Sequence, residues 1–92
     1  MEIQIKMVGA ASEVFAYKKR NPNAIHEEVF QYIADYISQR EKVKDEKIKF
    51  AMIAAAGKAF EMIHKNPDSS EKALLRDFMN EIPGILYNIE EG

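Results

Sequence analysis

The sequence predicts an all-α fold, a four-helix bundle-like domain built from two tandem helical hairpins. Three observations carry that prediction. Apolar residues recur at helical spacings of three and four. Asn-Pro pairs, each followed by a residue able to cap a helix, punctuate the chain twice. And KMVGAASEVFAYKKRNPN, residues 6–23, returns 45 positions later as AMIAAAGKAFEMIHKNPD, residues 51–68.

The first helix is expected over residues 3–20, where Ile3, Met7, Ala10, Val14 and Tyr17 fall on one stripe. Pro22 biases Asn21 away from the helical region and removes a backbone donor, so the helix should stop near Arg20, leaving Asn23 to cap the next. The second, about 24–40, carries Ile25, Val29, Ile33 and Ile37 every fourth residue, widened by Phe30, Tyr32 and Tyr36. Residues 40–45 form a polar linker that ends in Asp45, a good N-cap.

The third helix, about 46–65, repeats the first stripe at Ile48, Met52, Ala55, Ala59 and Met62. It adds Phe50, Ile53, Ala56, Phe60 and Ile63 at other angles, so it is apolar nearly all round. Asn66-Pro67 should end it, with Asp68 and Glu71 capping a fourth helix over about 69–82. Leu74, Leu75, Phe78, Met79 and Ile82 are expected to face inward. Pro83-Gly84 should break that helix and release a tail, 83–92, whose Ile85, Leu86 and Ile89 fold back over the bundle.

Residues 3–37 and 48–82 share eight identities: Ile3/Ile48, Met7/Met52, Ala10/Ala55, Ala11/Ala56, Phe15/Phe60, Asn21/Asn66, Pro22/Pro67 and Ile37/Ile82. About two would arise by chance at ordinary residue frequencies. Inward positions match and outward ones do not, which reads as a duplicated hairpin whose one-sided apolar face needs a second copy to cover it. Two such hairpins should dock about a pseudo-two-fold axis within a single domain, 1–92. Small residues at the same phase, Gly9 and Ala10 on the first helix, Ala55 and Ala56 on the third, are expected to let those helices cross closely.

Composition narrows function mostly by exclusion. With 13 basic and 15 acidic residues and a net charge of −2, the chain carries no strong field for nucleic acid or anionic lipid. Cysteine is absent, so neither a disulfide framework nor thiolate chemistry is expected, and nothing at the N-terminus reads as a secretory leader. The longest near-apolar run, Phe50–Gly57, is too short to cross a bilayer. A cytoplasmic protein is the expectation, and eleven Glu, ten Lys and eleven Ile lean toward a thermophile's composition.

Candidate chemistry is sparse. Glu61 and His64 have the Glu-x-x-His spacing of carboxylate-bridged di-metal bundles, but the equivalent positions in the other hairpin are Ala16 and Lys19, which cannot complete such a site. They stand as weak metal candidates, and no metal or cofactor is expected. His26, Glu27 and Glu28 fit the electrostatics of a helix start. Tyr17-Lys18-Lys19-Arg20 combines an aromatic with cations, as contact with single-stranded nucleic acid would require, yet cations also favour a helix C-terminus. The wide face of the second helix, Phe30, Tyr32 and Tyr36, together with Phe50, suggests surface left for a second chain. The expected function is a protein–protein interaction or structural module acting as a homo-oligomer, rather than an enzyme. The alternative is a small-ligand- or metal-binding bundle, with an enzyme among its forms, and weak nucleic-acid binding ranks third.

Overall fold

Each Asn-Pro pair ends a helix in the same way. The Asn21 amide hydrogen and side-chain Nδ2 both donate to the Tyr17 carbonyl, at 2.8 and 3.1 Å; Asn66 repeats both bonds to the Met62 carbonyl at 2.9 and 3.1 Å. Ala24 N–H then donates to Asn21 O, and Ser69 N–H to Asn66 O. The proline after each asparagine cannot continue the helix, so the asparagine is left to satisfy the last free carbonyls.

The computed structural model describes residues 2–91, the last two by backbone alone. Four α-helices account for most of them: α1 (Glu2–Arg20), α2 (His26–Asp35), α3 (Glu46–Lys65) and α4 (Glu71–Glu91). No strand occurs among the described residues. A turn of π-helix, Tyr36–Arg40, prolongs α2, closed by Glu41 N–H donating to Tyr36 O. Both Tyr36 and Ile37 thereby stay buried.

Capping differs from expectation at two of three sites. Asp45 does cap α3, accepting from Lys47 N–H at 2.8 Å and Ile48 N–H at 3.1 Å. Asn23 does not cap α2: the N-cap is Ile25, which has no acceptor, and the Glu28 carboxylate instead reaches back to Ile25 N–H at 2.9 Å. Nor does Asp68 cap α4, since Ser70 Oγ accepts from Ala73 N–H at 3.1 Å. Ile25 and Ser70 are equivalent positions, so both flanking helices start at the same phase with different chemistry.

Pro83 does not break α4, which runs through it to Glu91. Pro83 and Gly84 both lie on the exposed side, where the Met79 carbonyl left without its amide partner can be hydrated. Inward, the stripe Leu74, Phe78, Ile82 continues as Ile85, Leu86 and Ile89, all packed on the core. The expected tail is therefore the last turns of α4; residue 92 lies outside the described residues. Met79, expected inward, is 56% exposed, because it sits one residue out of phase with Leu74, Phe78 and Ile82.

α1 and α3 share the most extensive contact, and α2 and α4 each touch both while scarcely touching one another. A central pair is thus flanked on its two sides. α1 and α3 run in the same direction, since Glu2, Lys6 and Ile48 line a hollow at one end and Lys18, Lys19, Ile63 and His64 line one at the other. Met7/Met52, Ala10/Ala55, Ala11/Ala56, Val14/Ala59, Val29/Leu74, Ile33/Phe78 and Ile37/Ile82 are buried at equivalent positions of both hairpins. The radius of gyration, 12.3 Å, matches the roughly 12 Å of a compact chain this long.

Candidate functional site

The two hairpins differ in chemistry where their turns meet. A hollow of about 400 Å³ opens at that end of the bundle, lined by Lys18, Lys19, Pro22, Ile63, His64 and Pro67. These are three equivalent pairs, 18/63, 19/64 and 22/67, so the hollow lies where the two halves face each other. The prolines are common to both halves. The other positions are ammonium on one side and isoleucine or imidazole on the other.

Internal bonds fix the ammoniums. Lys18 Nζ donates to the carbonyls of Pro22 and Ala24, at 2.8 and 2.9 Å, and lies 5.7 Å from the centre of the Phe60 ring. Lys19 Nζ crosses to the other turn and donates to Ser69 O at 2.8 Å. Arg20 stands over Tyr17, 6.0 Å from its centroid. The basic cluster read from the sequence is therefore divided: two lysines tie down the turns and border the hollow, while the arginine covers an aromatic ring.

Both histidines of the described chain gather at Phe60. His64 stacks on that ring at 6.3 Å, while His26 meets it edge-on at 5.3 Å and stacks on Phe30 at 4.3 Å. Phe60 is half-buried, whereas its equivalent Phe15 is sealed in the core. Glu61 turns away from this group. Its carboxylate accepts from Lys58 Nζ at 3.2 Å, and that bond first, with Lys65 adding to it, holds the carboxyl below its usual range. Glu61 and His64 are not joined by further ligands: among the described residues no group of three His, Cys, Asp or Glu could hold a metal.

The aromatic face of α2 is largely occupied within the chain. Tyr36 is only 8% exposed and packs beside Gly9, and burial, then the charges of Glu41 and Glu13, pushes its hydroxyl pKa up. Tyr32 stacks on Tyr17 at 4.5 Å and donates to Glu13 Oε1 at 2.6 Å, where Arg40 also binds at 3.3 Å. Phe30 lies against His26 and near Gly57. Of the four residues read as an interaction surface, Phe50 alone stands free, at 64% exposure. Ala10, Ala55 and Ala56 are fully buried, but Gly9 faces the Tyr36 hydroxyl.

A second concavity escaped the sequence reading. Gln4, Ile5 and Val8 of α1 and Met79 and Ile82 of α4 enclose about 260 Å³, with Ile5 68% exposed. Ile5 falls off the stripe of Ile3, Met7 and Ala10, and that phase difference was the available signal. No described helix is long and apolar enough to cross a membrane. No family model matches the chain, and neither a curated protein nor a solved structure matches it significantly.

Proposed function

We propose that the protein is a self-associating interaction module whose contact surface is the apolar groove between α1 and α4. The supporting observation is that groove: Ile5, Val8, Met79 and Ile82 line it, Gln4 is its one polar residue, and Ile5 and Met79 are left largely exposed. Large apolar side chains clustered in this way favour a partner surface. A second copy fits, because the lining carries no charge and two identical faces can approach without like-charge repulsion.

The recurrence of turn hydrogen bonds and buried positions at a fixed offset supports a duplicated ancestral hairpin. Such a hairpin would itself have had to pair to cover its apolar face.

Sedimentation velocity over a concentration series reaching about 0.1 mM tests the reading, since a contact weaker than that contributes under ~6 kcal/mol. A dimer is expected, together with a folded monomer for the double variant Ile5→Ser, Met79→Ser. A parent protein that stays monomeric throughout would sink the proposal.

A further inference from the structure

We infer that the hollow between the two turns is a binding site for a small organic anion, a phosphate or carboxylate group carried on a short apolar body. The site is separate from the α1–α4 groove and does not depend on self-association. At about 400 Å³ it has the size of a small-molecule pocket, roughly 300–1,000 Å³. No carboxylate lines it, and its lining divides by chemistry: Lys18, Lys19 and His64 supply polarity, while Pro22, Pro67 and Ile63 are apolar.

The two ammoniums are positioned without being exhausted. An ammonium has three N–H donors. Lys18 uses two on the Pro22 and Ala24 carbonyls and Lys19 one on Ser69, which leaves one and two for a ligand. Lys18 is half-buried and Lys19 exposed, and each is held by these bonds, so part of the entropy of ordering them is already lost before a ligand arrives. His64, stacked on Phe60, lines the opposite wall.

The comparison between hairpins strengthens the assignment. Turn stability needs Asn21/Asn66 and Pro22/Pro67, and these are kept in both halves. Positions 18/63 and 19/64 are free to differ, and they differ so that one wall carries two ammoniums and the other an isoleucine and an imidazole. An amphiphilic anion meets both: its charged group takes the lysine donors and its body covers Ile63 and the prolines.

The test is a titration of the purified protein with phenyl phosphate, phenylacetate and inorganic phosphate, followed by the His64 imidazole resonances and by calorimetry. Phenyl phosphate or phenylacetate should bind saturably and shift His64. Whichever of the two binds more tightly identifies the anionic group. The aromatic body should improve affinity about tenfold over inorganic phosphate, as burial of one ring against apolar side chains implies. Lys19→Met should weaken binding by about tenfold or more. Because that variant also loses its bond to Ser69, His64→Ala, at an exposed position, serves as a second variant and should weaken binding with the thermal midpoint unchanged. Failure of both aromatic anions to bind, or binding unaltered by both substitutions, would overturn the assignment whatever the oligomeric state.

Discussion

Two mid-helix glycines, Gly9 on α1 and Gly57 on α3, meet different neighbours. A Cβ added at Gly57 would lie 3.7 Å from Phe30 Cζ, an ordinary contact, whereas one at Gly9 would lie 3.2 Å from the Tyr36 hydroxyl. Replacing a mid-helix glycine by alanine gains about 0.5–1 kcal/mol where space allows. Gly57→Ala should therefore raise the thermal midpoint by a few degrees. Gly9→Ala should leave it unchanged or lower, because Tyr36 is buried and Arg40 covers its ring at 5.0 Å, so the hydroxyl has little room to retreat. Equal stabilisation by both substitutions, in parallel thermal melts, would show that the Tyr36 ring yields freely.

A charge pair ties the connection between α2 and α3 to α1. Glu41 accepts from Lys6 of α1, and this hydrogen bond, more than any other contact, holds its carboxyl below the ordinary carboxylate range against the opposing effect of desolvation. A carboxyl with a depressed folded pKa stabilises the fold above its unfolded pKa, and that contribution disappears as pH falls through the folded value. Glu41→Gln should accordingly lower the thermal midpoint near about pH 7 and lower it by less near about pH 3, closer to where the depressed carboxyl gives up its charge. Melts at the two pH values check this, and a variant as stable as the parent at neutral pH would show that the pair is fully offset by solvation. The same segment contains Lys42, with φ 51° in the left-handed region, so the link follows a defined path rather than a slack one.

For the molecule as a whole, the contact between α1 and α3 carries most of the core. Ala10, Ala11, Ala55, Ala56 and Ala59 are without exposure, and no polar or charged side chain is buried beside them. Alanine at these positions lets two parallel helices lie close enough for α2 and α4 to reach both. Ala55→Leu adds three carbons with no space to receive them and should cost about 1–3 kcal/mol, read from denaturant unfolding. A variant as stable as the parent would show that the helices can separate without loss.

Local sequence determined the helices, because spacing of apolar residues and Asn-Pro termination act within a few residues of where they are read. Asn21 and Asn66 stop α1 and α3 through bonds to carbonyls one turn back, and Asp45 starts α3 by accepting from the amides two and three residues ahead. The repeat also determined which positions would be inward, since only a shared core constrains Met7 and Met52 or Ile37 and Ile82 alike. Tertiary structure decided the rest. Pro83 reads as a helix breaker, yet the lost hydrogen bond falls on the water side while Ile82, Ile85, Leu86 and Ile89 hold the inner face, and packing outweighs the local penalty. Tyr36 reads as surface, yet Gly9 opens a place for its ring. The hollow of Lys18, Lys19, His64 and Ile63 joins residues 45 positions apart; it exists only because the two turns meet, and that depends on the direction in which α1 and α3 pack.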